Sequence, residues 1–353
     1  FFSRVALSGD IGLGESYMTG EWEVDDLPGF IGLIVENLSV LPEIPSFLNV
    51  FTEIYHKALH RRRKNSEQGS QENIQAHYDL SNQMYQQFLD ETMTYSSAVF
   101  ETPDQSLEAA QRHKLQKIIK KARITADHHI LEIGSGWGSF SIEAVQQTGC
   151  RVTTVTISEA QYQLAKQRIE AAGLSDRIDI KLCDYRRLEG QFDRIVSIEM
   201  IEAVGHDFLP DYFKTCDRLL KPNGLMVLQA ITISDQRYDG YRKSSDWIRK
   251  HIFPGGHLPS LNAISEALTR HTSLIVEDLE NIGPHYAPTL ARWRDRFLAS
   301  EGSIRTLGFD DTFCRKWLFY FAFCEAAFSK RYLNNLHLVL TRPNNDSLGI
   351  WGE

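Results

Sequence analysis

The sequence predicts an α/β fold: a mixed seven-stranded sheet with a helical cover and a small N-terminal region. Three observations carry this. Strand-like apolar runs alternate with helical patterns from Ile130 to Gln229, the signature of parallel β-α-β units. A glycine-rich turn, Gly134-Ser135-Gly136-Trp137-Gly138, follows the first of those strands and opens a helix. Two late runs, Leu274–Leu279 and Leu336–Thr341, bracket helices and can add a strand pair at one edge.

In chain order, the first stretch to about Leu59 is rich in glycine and aromatics, as in Gly12–Trp22. Phe47, Phe51, Ile54, Tyr55 and Ala58 then recur at helical spacing and run into the basic His60–Lys64. The polar tract Asn65–Asn73 reads as a linker, which divides the chain into an N-terminal region (1–60), a linker (61–74) and a main domain (75–345). Leu107, Ala110, Leu115, Ile118, Ile119 and Ala122 make one helix face. The strands are Ile130–Ile133, Arg151–Thr156, Arg177–Leu182, Phe192–Ile198 and Leu225–Gln229. Helices near Ser139–Gln147, Ser158–Ala172 and Phe208–Leu220 separate them, and Lys221–Gly224 is a turn before the fifth strand. Residues 238–330 are too many for a loop and are expected to be a helical cover. Within them Phe313, Trp317, Tyr320, Phe321, Cys324 and Phe328 form an aromatic stripe, which fits core packing or the wall of an apolar channel.

Composition narrows the function. A formal charge of −8 over 353 residues argues against nucleic-acid binding, which needs a net basic face. No apolar run approaches the ~20 residues that span a bilayer. The five cysteines are scattered without a CxxC, and the twelve histidines form no HExxH, so neither a disulfide scaffold nor a metal site is expected. Cysteine usage of this kind favours a reducing compartment.

The glycine turn has the spacing GxGxG, unlike a dinucleotide fingerprint or a phosphate loop. An acidic residue just before it, Glu132, suits a ligand carrying a positive amino group. Asp184, after the third strand, suits a helix cap by residue type.

The pattern Glu132-x-Gly134-x-Gly136-x-Gly138, with strand ends at Thr156, Asp184 and Glu199–Glu202, resembles motif I of class I S-adenosylmethionine-dependent methyltransferases. More specifically, the chain resembles the cyclopropane-fatty-acid synthase and mycolic acid methyltransferase family. The likeness rests on His77–Asn82, Thr92–Phe100, Asp193–Val196, Glu202-Ala203-Val204-Gly205-His206, Ile252–Gly256 and Tyr286-x-x-Thr289-Leu290-x-x-Trp293. It implies a Rossmann-like class I methyltransferase domain, preceded in residues 1–60 by the truncated end of a lipid-binding region. It also implies methyl transfer from S-adenosylmethionine to a cis double bond of an unsaturated phospholipid acyl chain, giving a cyclopropane fatty acid. Alternatives are a methyl-branched product, a small-molecule N- or C-methyltransferase, or a non-catalytic lipid-binding homologue.

For the cofactor, the resemblance carries over Tyr95, Ser96, Glu132, Gly134, Gly136, Gly138, Thr156, Gln161, Asp184 and Tyr185, and implies that Asp184 accepts from an adenine amino group with Tyr185 packed beside the ring. In the family a bicarbonate held by Cys, Glu, His and Tyr side chains and a backbone group at Ile removes the proton that lets the ring close. Glu202, Tyr286 and Ile231 match that set; Ser135 is aligned with the Cys, Gln229 stands for the His, and Ala203 replaces a common His. Glu199, where relatives often have Gly, is a strand end or a supporting residue. The implied setting is cytoplasmic and peripheral to the membrane, with Phe47–Leu59 and Arg61–Lys64 at the lipid surface; family members often form dimers, and the sequence leaves the oligomeric state of this chain open.

Overall fold

The computed structural model describes residues 1–37, 69 and 81–348. The expected amphipathic segment Phe47–Leu59, its basic end, the 61–74 linker and His77–Leu80 lie outside the described residues, apart from Gly69.

Strands β1 (His129–Ile133), β2 (Arg151–Thr156), β3 (Ile178–Leu182), β4 (Phe192–Ile198), β5 (Leu220–Ile233), β6 (Ile275–Asn281) and β7 (Leu333–Thr341) form one sheet. Their order is β3-β2-β1-β4-β5-β7-β6. The first five are parallel, while β7 runs antiparallel between β5 and β6. Strand order switches between β1 and β4, so the carboxyl ends of β1, β2 and β4 open on one crevice, where α/β sheets bind ligands. The fifth strand is longer than expected. Leu220 pairs with Phe192 and Leu225 with Arg194, so the Lys221–Gly224 turn is a bulge inside the strand rather than a break before it.

Helices α1 (Phe2–Met18), α2 (Leu27–Glu36), α3 (Asn82–Gln86), α4 (Leu107–Lys121), α5 (Ser139–Thr148), α6 (Glu159–Ala171) and α7 (Leu209–Leu219) precede the cover. Local sequence sets several of their ends. Ser106 and Ser158 accept from the backbone N–H three residues on and cap α4 and α6, and α4 carries Glu108 in its first turn and Lys120 and Lys121 in its last. Asp26 caps α2, with Pro28 in the first turn, where no partner for its nitrogen is needed. The cover consists of α8 (Asp235–Tyr241), α9 (Trp247–His251), α10 (Leu261–His271), α11 (Tyr286–Ala299), α12 (Glu301–Thr306) and α13 (Asp311–Ser329), with β6 inside the same stretch.

Residues 1–37 share a core with this cover. Ile11, Leu13, Tyr17, Leu27 and Ile31 are buried in the cluster that holds Trp247, Trp317, Phe319 and Phe321. Polar links fasten the seam: the Trp247 N–H donates to Asp10 at 3.0 Å, Lys250 Nζ to Glu15 at 2.6 Å, and Arg315 stacks on Tyr17 at 4.2 Å. The aromatic stripe of α13 divides between its two expected roles. Trp317 and Phe321 pack on Phe88 and Phe297, while Tyr320, Cys324 and Phe328 line a cavity.

Candidate active site

One cavity of about 1300 Å³ connects the glycine turn, the ends of β4 and β5, and an apolar wall from α1, α2 and α13. At the turn, Gly134, Gly136 and Gly138 all have positive φ (93°, 49° and 87°). A Cβ at Gly136 would meet no atom within 4 Å, so its backbone lies bare to the cavity, whereas one at Gly138 would sit 3.4 Å from Ala165 of α6. Glu132 is buried just before the turn, and its Oε2 accepts from Ser141 Oγ at 2.5 Å and Thr154 Oγ1 at 2.6 Å. Burial raises its pKa to about 7, so a cationic ligand group beside it would favour its ionised form.

The other expected cofactor residues line the same cavity. Thr156, at the end of β2, donates to Gln161 Oε1 at 2.9 Å. Asp184 caps the short helical turn Tyr185–Arg187, and both of its oxygens accept from the Arg186 guanidinium, at 2.9 and 2.5 Å. Its capping role is thus realised. Tyr185 packs edge-on against Tyr212. Tyr95 hydrogen-bonds Tyr320 at 3.0 Å, and Ser96 Oγ accepts from the fully buried Lys114 at 2.8 Å. Burial lowers the Lys114 pKa to about 8.

At the carboxyl end of β4 two carboxyl groups face different surroundings. Glu199 holds a left-handed backbone (φ 49°), and its own N–H donates to the Gln229 carbonyl of β5. Its Oε1 accepts from the Ser97 N–H (3.0 Å), Gln229 Nε2 (2.7 Å) and Asn335 Nδ2 (2.6 Å), and its Oε2 from the Tyr286 hydroxyl (2.7 Å). Four donors and no acceptor is the pattern of a carboxylate. Glu202 is satisfied on one side only. Its Oε1 accepts from the Ile231 N–H at 2.6 Å, while its Oε2 has no hydrogen-bond partner among the described residues. Burial first, then the charge of Glu199, pushes its pKa up to about 8.

Gln229 and Tyr286 therefore meet at Glu199, while the Ile231 N–H meets Glu202. Ser135 does not join them: it stays in the glycine turn with its hydroxyl on the Gly136 carbonyl at 3.0 Å. The donors that the resemblance assigns to bicarbonate are already engaged, Tyr286 and Gln229 by Glu199 and the Ile231 N–H by Glu202. The residues present do not fit that anion, because a protein carboxylate takes its hydrogen bonds.

Ser97, Asn335, His337 and Lys114 escape sequence reading, as does the centrality of Glu199. Ser97 sits inside the Tyr95-Ser96-Ser97 run and was legible only as a neighbour. Asn335 and His337 alternate on one face of β7, opposite Ile231 and Gln229 in register. That pairing needs the antiparallel insertion of β7 and leaves no local trace. His337 Nε2 donates to Gln229 Oε1 at 2.9 Å, which fixes the amide so that its Nε2 points at Glu199. Burial holds the His337 pKa down to about 3, so the ring is neutral.

A glycine turn at the first strand, acceptors at the ends of the next two and a carboxyl pair after β4 define an S-adenosylmethionine-dependent methyltransferase of class I. Residues 65–338 match the family described as mycolic acid cyclopropane synthetase, and the chain belongs to that family. It is 41% identical over 347 residues to tuberculostearic acid methyltransferase UfaA1 of Mycobacterium tuberculosis, covering 96% of this chain and 80% of that protein. It is 35% identical over 350 residues to the cyclopropane-fatty-acyl-phospholipid synthase of Escherichia coli, covering 99% of this chain and 88% of that one. Among solved structures, mycolic acid cyclopropane synthase CmaA1 with SAH and CTAB superposes with a TM-score of 0.72 at 29% identity, covering 77% of this chain and 98% of that one.

Proposed function

We propose that this enzyme methylates a cis double bond of an unsaturated phospholipid acyl chain and closes the added carbon into a cyclopropane. The observation that carries this is the Glu199–Glu202 pair: one fixed carboxylate and one carboxyl with a free oxygen, in a cavity that also holds the cofactor turn and an apolar wall. Bound S-adenosylmethionine supplies an electrophilic methyl group, and its transfer to one alkene carbon leaves a cation on the other. Glu199, held by four donors, keeps a negative charge preorganised for that cation. Glu202 Oε2 takes a proton from the added methyl carbon, and the freed electron pair forms the second ring bond. Ile231 N–H steadies the other oxygen, and the packed Tyr286, Phe328 and Tyr320 keep water from the cation.

A second reading, a methyl-branched chain, is favoured by the 41% identity to a fatty-acid methyltransferase by name. It shares the first step; migration of a hydride from the methyl-bearing carbon then moves the charge to that carbon. Proton loss from the methyl leaves a methylene (C=CH2) branch on the open chain, which a separate reductase with a hydride donor must reduce to give the methyl branch. The substrate lies in a membrane, and the basic run Arg61–Lys64 supports work at its anionic surface. No helix among the described residues is long and apolar enough to cross a bilayer.

The test is incubation with labelled S-adenosylmethionine and mixed unsaturated phospholipid vesicles, with mass analysis of the acyl chains before and after hydrogenation. A gain of one CH2 with loss of the double bond supports ring formation. A gain that keeps the unsaturation supports the branched product, and no label in lipid overturns the lipid reading.

A further inference from the structure

Arg237, in α8, contributes to the wall of the cavity and is also partly exposed, while its neighbours Gln236, Gly240 and Ser244 line the cavity and are exposed. Residues shared by cavity and solvent mark the mouth. The Arg237 guanidinium lies on the Tyr332 ring, 3.1 Å from its centroid, and Nη1 donates to the Tyr332 carbonyl at 3.2 Å. Nε and Nη2 make no hydrogen bond among the described residues, and neither atom is covered by protein. These two nitrogens form the side-on fork of the guanidinium, whose N–H groups point in parallel at a spacing that matches two oxygens of a phosphate or carboxylate. No carboxylate pairs with this cation among the described residues. The acids beside it in sequence are engaged elsewhere: Asp235 accepts from the Asn262 N–H at 2.9 Å, and Asp239 from Arg242 Nε at 2.8 Å. Lys243, just past α8, and Arg331, next to Tyr332, are exposed and likewise enter no ion pair among the described residues.

We infer that Arg237 receives the headgroup phosphate of the lipid substrate at the mouth of the cavity, Nε and Nη2 each donating to one phosphate oxygen, while the acyl chain runs inward. The inference rests on the lipid reading above. Three features agree with it. The mouth lies at the same end of the sheet as the carboxyl pair, because Leu333, next to Tyr332, pairs with Ile233, two residues past the Ile231 whose N–H holds Glu202. An apolar wall connects the two places: Tyr332 N–H donates to the Ala327 carbonyl at 2.8 Å, and the next residue, Phe328, packs on Tyr286 at 4.5 Å. Asp10, an acid on the cavity wall, has its pKa raised to about 7 by burial and by Asp246, so near neutrality much of it is uncharged and repels an anion less.

Binding to the full chain tests this without turnover, so its failure is distinct from failure of the lipid reading. Dodecyl phosphate, dodecanoate, dodecanol and inorganic phosphate, kept below micelle-forming concentrations, are titrated calorimetrically into the wild type, R237Q, R237K and R151Q, with melting temperatures recorded for each. The wild type is expected to bind dodecyl phosphate at least about tenfold tighter than dodecanol. R237Q should erase that preference, and R237K should lose part of it, since an ammonium does not span two oxygens. R151Q, which removes the same charge from an exposed strand end outside the cavity wall, should keep it. R237K decides the matter if R237Q does not fold. Equal affinity of the wild type and the folded Arg237 variants for dodecyl phosphate overturns the inference and leaves Arg237 as a tie between α8 and Tyr332. Inorganic phosphate binding as tightly as dodecyl phosphate overturns it in favour of a free-phosphate site, and tighter dodecanoate binding overturns it in favour of a free fatty acid. Absence of any alkyl binding while phospholipid vesicles are still methylated overturns it too, whereas absence of that methylation is failure of the lipid reading.

Discussion

Glu199 has a side chain where the backbone asks for none. At φ 49° a non-glycine residue is strained by about 1 kcal/mol, and such strain persists only where the surroundings over-determine it. Here the four donors on its carboxylate do so. E199G should therefore relieve the backbone yet vacate the cradle, and we expect its residual turnover to depend on added bicarbonate, while the wild type is indifferent to it. Turnover measured in bicarbonate-free buffer, with and without the anion restored, checks this. Glu202 gives a pH signature of known sign. With a pKa near 8 it is mostly protonated at pH 7, so kcat/KM should rise with pH to a plateau above about 8. E202Q should abolish turnover with little change in cofactor affinity. The same shift bears on stability: the unfolded chain loses this proton near 4.5, before the folded one does, so stability falls as pH rises from about 4.5 to 8. Denaturant unfolding of E202Q across that range should show a shallower fall. At this scale the sequence was legible where chemistry is local. Glu202, Tyr286 and the glycines stood out, but Glu199 read as a strand end or a supporting residue because its partners come from four separate segments.

Among the elements, the parallel half of the sheet was the most legible, because strands buried on both faces are continuous apolar runs flanked by turn residues. Strand β7 was visible as a strand, but its place between β5 and β6 was not, and with it went Asn335 and His337. Helix α13 shows the ambiguity of an aromatic stripe: the same periodicity serves a core on one side and a cavity on the other. The seam between α1 and α9 is tight enough to test. A Cβ at Gly14 would come within 2.3 Å of the Trp247 ring and 2.8 Å of Phe319. G14A should lower stability by about 1–3 kcal/mol, read by denaturant unfolding, because neither buried ring can withdraw.

For the whole molecule, residues 1–37 had looked like the edge of a separate region, since glycine-rich aromatic sequence carries no sign of what it packs on. In the structure they wall one side of the cavity that holds the glycine turn and the carboxyl pair, with Val5, Leu13, Phe30, Ile31 and Ile34 along it. The family match begins only at residue 65. Chain-length preference should therefore respond to changes far from the carboxyl pair. I34W, which fills part of that wall, should shift preference toward shorter acyl chains by about tenfold in relative kcat/KM while leaving cofactor affinity unchanged. Competition between phospholipids of graded acyl length, scored by mass, measures it.

The position of β7 also sets an order of events in the life of the protein. Of the seven strands it leaves the ribosome last, yet it must enter between two that are already made, and β6 has no partner in the sheet until it does. The same step brings Asn335 to Glu199 and His337 to Gln229. A nascent chain can form the cofactor turn early, but the hydrogen bonds that hold its fixed charge wait for this last, long-range insertion. Acquisition of activity should thus coincide with completion of the sheet, so that an unfinished chain carries no working electrophile chemistry.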